Sequence, residues 1–293
     1  MIAMDIKNVL VPVDFSPTSR LAVNYGVSFA RKFHATLTLL HVVESGAAIV
    51  AGFPVETTAM EKQRRDQALR MLSALLASED QDDLDLRTVI KSGDIQDEII
   101  SVIDEQGAGI VVMGTHGRGL FSRLLVGSVT QGILRKVSVP ILTVCGAIQP
   151  LAFGRILFAT DCSESSKHSF DFVLEFAHRM QSEVTVLHVL EPVAVIYGGA
   201  EMAEYIGHHN ADQVQSELAD FVRKGAHQDV RVETAVAEGF AADQILKAAK
   251  ESSADLLLIT VKHKGLVERA LLGTTAERLI REAHIPVLSI PVD

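Results

Sequence analysis

The 293-residue sequence has no tryptophan, only two cysteines and fewer basic than acidic residues. Cys145 and Cys162 cannot supply a disulfide framework or a four-cysteine metal site, so we interpret them as small buried apolar side chains. The formal net charge of −10 repels polyanions, and binding to DNA or RNA, which needs Lys and Arg against the phosphates, is not expected. A base-stacking surface is not expected either, because aromatic and basic residues are not interleaved.

The sequence also has no long uninterrupted apolar run. The stretch at 137–153 is the most apolar, but Pro140, Gly146, Gln149 and Pro150 interrupt it, and it does not have the pattern of a membrane span. The opening segment MIAMDIKNVLVPVD has neither the basic region nor the small-residue cleavage pattern of a signal peptide. A cytoplasmic location without a membrane partner is therefore expected.

The chain consists of one unit written twice. Residues 7–44 align without a gap with residues 154–191 at a constant shift of 147, and 11 of the 38 positions are identical. The identical pairs include Asp14 and Asp161, Ser16 and Ser163, and His41 and His188. The closing strands VPILTV and IPVLSI also match, at a shift of 146. These matches indicate a tandem duplication, with predicted domains at 1–147 and 153–293.

Strand and helix patterns alternate within each half. The apolar runs of the first half are NVLVPV at 8–13, TLTLLHVV at 36–43, LRTVI at 86–90, GIVVM at 109–113 and VPILTV at 139–144. Helical patterns separate them, and the first opens with Ser16 as an N-cap followed by Pro17. The alternation predicts an α/β fold of two tandem doubly wound sandwiches, each with a five-stranded parallel sheet.

One glycine-rich stretch, GTHGRGLFSRLLVGS at 114–128, separates a buried strand from a helix. In open α/β sheets, ligands bind beyond the carboxyl ends of the strands, where the winding direction reverses. The stretch leaves the end of the fourth predicted strand, and Asp14 ends the first. If these strands are neighbours, the glycine-rich stretch and Asp14 lie beside the same crevice.

The residue types in this stretch favour an anion site. Backbone N–H groups reach phosphate oxygens where no Cβ obstructs them, which glycine allows at Gly114 and Gly117. The helix that begins at Gly127 offers N–H groups and a positive dipole end, and the hydroxyls of Ser128 and Thr130 can add hydrogen bonds. A Walker A loop and the GxGxxG dinucleotide fingerprint are both absent. The spacing is instead GxxG, nine residues, then G[ST].

Together with Asp14 and the duplication, these motifs resemble the universal stress protein family in its tandem form. The resemblance rests on VPVD at 11–14, LLHVVE at 39–44, GTHGRG at 114–119, GSVT at 127–130 and VPILTV at 139–144. It implies the sheet order 3-2-1-4-5 in each half and an ATP site in the first half, with or without magnesium. The residues matched to phosphate and ribose contacts are Gly114, Gly117, Gly127, Ser128, Val129 and Thr130. Those matched to adenine and ribose contacts are Pro12, Val13, Asp14 and Val42. Met113 and Arg118, beside the glycines, complete the predicted set, and Arg118 either contacts phosphate or flanks a solvated loop.

The second half departs from this pattern. Thr260 and His263 stand where the first half has glycines, although Gly273 and Thr274 are retained. A Cβ at the first two positions obstructs close backbone approach, so the second site is expected to be empty or altered. The basic run KHK at 262–264 could instead face an anion through charge.

Some of these residues also have a purely structural interpretation. Asp14 and Asp161 could cap the following helices instead of touching a ligand. His41 and His188 are interpreted as buried, hydrogen-bonded imidazoles, since no second metal ligand lies at a useful spacing. No Ser-His-Asp order, nucleophile elbow or HExxH motif is present, so neither a catalytic residue nor a metal site is predicted. Turnover of ATP is expected to be slow at most.

Two functions are compatible with these features. In the first, the chain is a stress-response protein in which ATP bound to the first half changes its shape or its choice of partner. In the second, it is a scaffold, or a sensor of another small ligand, that acts through protein interactions. The lost glycines of the second half favour this alternative, as do the apolar closing strands, which could pair at a sheet edge. In either case the two halves are expected to pair as a pseudo-dimer, and the chain is expected to form homodimers.

Overall fold

The computed structural model describes residues 4–44, 48–50, 53–55, 58–76, 83–115, 126–146, 153–191, 211–225, 229–262 and 272–292. They form two compact units, one spanning residues 5–151 and the other containing residues 152–293. Each unit alternates strands and helices along the chain.

The first unit contains five parallel strands, a short hairpin and four helices among its described residues. The strands are β1 (Asn8–Pro12), β2 (Thr36–Glu44), β3 (Ala48–Val50), β4 (Phe53–Val55), β5 (Leu86–Gly93), β6 (Ile110–Gly114) and β7 (Ile141–Val144). The helices are α1 (Pro17–Phe33), α2 (Thr58–Leu76), α3 (Ile95–Gln106) and α4 (Ser128–Lys136).

The second unit repeats this order. Its described strands are β8 (Arg155–Thr160), β9 (Glu183–Leu190), β10 (Val232–Glu238), β11 (Leu256–Lys262) and β12 (Val287–Val292). Its described helices are α5 (Glu164–Met180), α6 (Ala211–Gly225), α7 (Ala241–Glu251) and α8 (Thr274–Glu282).

Both units have the same strand order. In the first unit the parallel strands lie in the order β5-β2-β1-β6-β7. In the second unit they lie in the order β10-β9-β8-β11-β12. Numbered within each unit, both orders are 3-2-1-4-5, so the predicted fold is confirmed. The first and fourth strands of each unit are therefore neighbours, and their carboxyl ends lie side by side.

Local sequence sets where α1 begins and ends. The Ser16 Oγ accepts a hydrogen bond from the backbone N–H of Ser19 at 3.2 Å, as the predicted N-cap requires. Pro17 takes the first helical position, where a missing N–H costs nothing. The helix ends at Phe33, and its C-cap, His34, adopts the left-handed conformation. Its inner face, which includes the fully buried Phe29, packs on β1 and β6.

The antiparallel hairpin of β3 and β4 was not predicted. Each of its strands has three residues, paired from Ala48 with Val55 to Val50 with Phe53. Three residues are too few for the period-two alternation that marks a strand in a sequence. The corresponding part of the second half falls within residues 192–210, outside the described residues.

Helix α1 lies so close to the sheet that one of its positions must be glycine. A Cβ on Gly26 would lie 2.5 Å from the Val11 Cγ2 and 3.1 Å from the Leu37 Cδ1. We expect Gly26→Ala to lower the free energy of unfolding by about 1–3 kcal/mol through overpacking, as measured by urea denaturation. Gly154→Ala is the matched control, because a Cβ there would meet only the Asp255 Oδ2 at 3.6 Å.

Removal of the obstructing methyl groups tests the cause of this loss. In the double variant with Val11→Ala, the total loss should be smaller than the sum of the two single losses. Additive losses would contradict the packing explanation.

Candidate functional site

A cavity of about 330 Å³ opens at the carboxyl ends of β1, β2 and β6 in the first unit. The walls are completed by the start of α1, the first turns of α3 and the start of α4. The lining residues are Pro12, Val13, Asp14, Ser16, Ser19, Leu40, His41, Val42, Ile95, Ile99, Met113, Gly114, Gly127, Ser128, Val129 and Thr130. This volume lies within the range of small-molecule sites.

Asp14 shapes the turn that leads from β1 into α1. Its Oδ1 accepts a hydrogen bond from the backbone N–H of Ser16 at 2.9 Å. Phe15, between them, has a φ of 63°, a left-handed conformation that is uncommon for a bulky residue. The carboxylate therefore has a structural role in the turn, and Ser16 rather than Asp14 caps the helix.

The histidine on β2 links its strand to the end of β1. The Nδ1 of His41 lies 2.7 Å from the carbonyl oxygen of Val13, and because a carbonyl only accepts, Nδ1 must carry the proton. The ring also contacts Phe15, with centroids 4.6 Å apart. The hydrogen bond expected from the sequence is therefore present, but the ring is half-buried rather than buried, because it forms one edge of the cavity.

The end of β6 and the start of α4 form the opposite wall. The Thr130 Oγ1 donates to the carbonyl oxygen of Gly114 at 3.0 Å, and the N–H of Gly127 donates to the carbonyl oxygen of Thr115 at 2.8 Å. These bonds tie the helix start to the strand end. Gly127 is the N-cap of α4 and provides no side-chain acceptor for the first-turn amides. The positive end of a nine-residue helix thus borders the cavity.

The glycine at the end of β6 has a packing role in addition to the one predicted. Gly114 is not among the described glycines with a positive φ, so the backbone does not need glycine for a turn at this position. A Cβ there would lie 2.8 Å from the Thr18 Cβ and 3.0 Å from the Thr18 carbonyl carbon. The close approach of α1 therefore explains Gly114 without any ligand, and a substitution at this position would disturb packing as well as binding.

The cavity brings together ten of the twelve residues predicted for the site. The other two, Gly117 and Arg118, lie outside the described residues. Sequence reasoning missed the lining residues Ser16, Ser19, Leu40, His41, Ile95 and Ile99. Four of them, Ser16, Ser19, Leu40 and His41, do carry a signal, which is their repetition in the second half. The spacing of Ile95 and Ile99 places them on one face of a helix, but no signal in the sequence shows that this face reaches a cavity.

The corresponding place in the second unit is built differently. Thr260 corresponds to Gly114, but β11 continues two residues beyond it, to Lys262. The Lys262 Nζ lies 3.2 Å from the Asp161 Oδ2. Both side chains are about half exposed. The second unit therefore has an ion pair at the strand ends, and the counterpart of Lys262 in the first unit, His116, lies outside the described residues.

Asp161 accepts several hydrogen bonds. Its Oδ1 accepts from the backbone N–H of Ser163 at 3.0 Å and from the Ser166 Oγ at 2.6 Å. Burial raises the pKa of Asp161, but the hydrogen bonds from Ser163, Ser166 and Lys262 outweigh burial and hold the pKa below its usual value. The side chain is thus an ionised acceptor at neutral pH.

The cysteines are half-buried rather than buried as the sequence suggested. The Cys162 Sγ lies 3.7 Å from the His188 Nδ1. Burial raises the pKa of the Cys162 thiol, and the neighbouring Asp161 carboxylate acts in the same direction. A thiol with a raised pKa is a poor nucleophile, so this geometry does not indicate a reactive cysteine.

Comparison with known proteins assigns the chain to a family. A model of the universal stress protein family matches residues 5–144 and again residues 152–291. The chain belongs to the universal stress protein family. A universal stress protein of Mycolicibacterium smegmatis is 26% identical over 290 residues, 96% of each chain. The universal stress protein MJ0531 of Methanocaldococcus jannaschii is 29% identical over 139 residues, 47% of this chain and 82% of its own.

A solved structure shares the fold over nearly the whole chain. The crystal structure of a universal stress protein from Archaeoglobus fulgidus covers 97% of this chain and 98% of its own, with a TM-score of 0.72 and 19% identity. This likeness concerns the fold. None of the helices in the described part of this universal stress protein is both long and apolar enough to span a bilayer.

Because Asp161 is ionised and paired in the folded protein, we expect the free energy of unfolding to depend on pH. The folded-state pKa of Asp161 is lowered, so its charge stabilises the fold above the ordinary carboxyl pKa of about 3.9. This stabilisation is lost as the pH falls towards the folded-state value. Asp161→Asn should therefore lower the free energy of unfolding more at pH 7 than at pH 3, as measured by urea denaturation.

Lys262→Met is the companion variant, and it should reproduce part of the effect because it removes one donor to Asp161. A loss of stability that is the same at both pH values would contradict this role of the carboxylate charge.

Proposed function

We propose that the first unit of this universal stress protein binds ATP in the cavity at the ends of β1, β2 and β6. The observation that supports this most directly is the assembly of one cavity from residues far apart in the chain, from Pro12 to Thr130. The sequence motifs and the family resemblance together select ten of these residues. The nucleotide would act as a signal that the protein senses, in keeping with a stress-response role.

The distribution of side chains around the cavity suggests the orientation of the nucleotide. Val42, Ile95 and Ile99 form an apolar side near β2 and α3, which suits the base. Ser128 and the N-terminal turn of α4 lie on the other side, where helix N–H groups and the helix dipole favour anionic phosphates. The Asp14 carboxylate, between the two, can accept hydrogen bonds from ribose hydroxyls.

The charge of the cavity limits what else the site can do. Asp14 is the only carboxylate among its described lining residues. Magnesium that accompanies the nucleotide would therefore be held chiefly by phosphate oxygens and water. The His41 ring has its Nδ1 proton directed at Val13. We propose binding with slow turnover at most, since hydrolysis needs a group that positions water for in-line attack.

An acidic side chain introduced at the start of α4 tests phosphate binding without destabilising the fold. Ser128 is exposed at the first position of the helix, where an acidic side chain stabilises the helix dipole by about 0.3–1 kcal/mol. Ser128→Asp should therefore leave the melting temperature unchanged or slightly raised. It should weaken ATP binding at least tenfold, about 1.4 kcal/mol, because the new carboxylate repels the phosphates.

The duplicated chain supplies the control for this experiment. Thr274 is exposed at the first position of α8, and Thr274→Asp introduces the same charge at the corresponding helix. Isothermal titration should give the wild-type affinity for this variant. Absence of ATP binding by the wild-type protein at millimolar concentration, or equal binding by all three proteins, would exclude the proposed site. Absence of binding would favour the scaffold function.

Self-association is a separate prediction. The homodimer expected from the sequence should appear in sedimentation of the full chain, with and without ATP. A dependence of the oligomeric state on ATP would connect nucleotide binding to assembly, whereas indifference to ATP would fit a scaffold.

A further inference from the structure

We propose that Gln96 is a positioning residue for the nucleotide and holds the start of α4 at a fixed distance from α3. The proposal rests on the function proposed above, in which the base lies against α3 and the phosphates lie at the start of α4. Ile95, at the first position of α3, and Ser128, at the first position of α4, both line the cavity of the first unit. A ligand that contacts both helices therefore depends on the distance between them.

The side chain of Gln96 joins the two helices at their N-terminal turns. Its Nε2 donates a hydrogen bond to the carbonyl oxygen of Ser128 at 3.4 Å. The Gln96 backbone is itself anchored, because its N–H donates to the Oδ1 of Asp94, the N-cap of α3, at 2.9 Å. The link thus runs from the capped start of α3 to the first residue of α4.

A glycine one turn further along α4 makes room for this side chain. A Cβ on Gly132 would lie 2.6 Å from the Gln96 Nε2, and closer still to the Cδ and Oε1 of the same amide. Glycine in the interior of a helix is less favourable than alanine, so helix stability does not explain this residue. Its missing side chain instead allows the Gln96 amide to approach the backbone of α4.

An ion pair between the same helices is weaker. The Lys136 Nζ lies 3.9 Å from the Asp97 Oδ1, and more than half of each side chain is exposed. Exposed ion pairs of this kind contribute little to stability. The Gln96 amide, which contacts the cavity-lining residue Ser128, is therefore better placed to fix the separation of the helices beside the ligand.

The second unit joins the corresponding helices from the opposite side. Ala242 stands in place of Gln96, and Arg278 stands in place of Gly132. The long side chain therefore belongs to α8, and its guanidinium group donates to the Asp243 carboxylate on α7. These helices border a cavity of about 480 Å³ at the strand ends, compared with about 330 Å³ in the first unit. In the first unit the link ends on the first residue of α4, whereas in the second it starts from the fifth residue of α8.

Gly132→Ala tests the positioning role without weakening α4. The new Cβ displaces the Gln96 amide, but alanine favours a helix more than glycine does, so the melting temperature should be unchanged or raised. The affinity for ATP, measured by isothermal titration of the full chain, should fall at least fivefold. Adenosine lacks the phosphates, and its affinity should stay within twofold of the wild-type value. The ring proton signals of His41, assigned with His41→Gln, report adenosine binding because His41 lines the cavity.

Gln96→Met removes the hydrogen bond but keeps a side chain of similar length over Gly132. It should also weaken ATP binding at least fivefold and leave adenosine binding within twofold. Both changes disrupt one contact, so the double variant with Gly132→Ala should lose less ATP affinity than the two single losses combined. Arg278→Ala is the matched control, because it removes the corresponding link from the second unit and should keep the wild-type affinity for ATP.

Several outcomes would overturn the positioning role alone. They are wild-type ATP affinity in both Gly132→Ala and Gln96→Met, equal losses for ATP and adenosine, fully additive losses in the double variant, or an equal loss of ATP affinity in Arg278→Ala. Failure of the wild-type protein to bind adenosine at millimolar concentration would also overturn it. Ser128→Asp tests the proposed ATP site independently of Gln96, and absence of ATP binding by the wild-type protein would overturn both proposals.

Discussion

Parallel pairing between the first and fourth strands of each unit is the constraint on which both cavities depend. Val9 pairs with Ile110 in the first unit, and Ile156 pairs with Leu256 in the second. The chain between these strands forms the second and third parallel strands, which lie on the other side of the first strand. The carboxyl ends of the first and fourth strands are therefore adjacent, although about a hundred residues separate them in sequence. Residues that follow directly after either strand then lie beside the same cavity. The residues that come directly after these two strands therefore decide the chemistry of each site.

The sequence was sufficient for the fold because strand and helix periodicities repeat in both halves. The duplication identified the unit, and the winding rules together with the family resemblance left one sheet order. The site was harder to predict. Ile99 and Val102 are both buried on α3, yet only Ile99 reaches the cavity, and a helical period cannot distinguish them. Contacts such as that between Gly114 and Thr18 depend on how closely a helix approaches the sheet, which composition does not encode.

Retention of a residue in both copies has a simple physical cause at one position. Asp14 and Asp161 each accept a hydrogen bond from the N–H two residues ahead, and the residue between has a left-handed backbone in both units. Such a backbone is strained for Phe15 and Cys162, and the carboxylate helps to hold it. The aspartates are thus required by the turn whether or not a ligand is present. Their retention is compatible with two sites of different specificity.

The fourth and fifth strands are longer in the second copy than in the first. β6 ends at Gly114, whereas β11 continues through Val261 and Lys262, which pair with Pro291 and Val292 of β12. The Thr115 N–H, at the position of Val261, also donates to the fifth strand, at the carbonyl oxygen of Val144. The first residue of the extension therefore takes no further amide away from the strand end. What the extension adds is a side chain, because it holds Lys262 where its ammonium group reaches the Asp161 carboxylate.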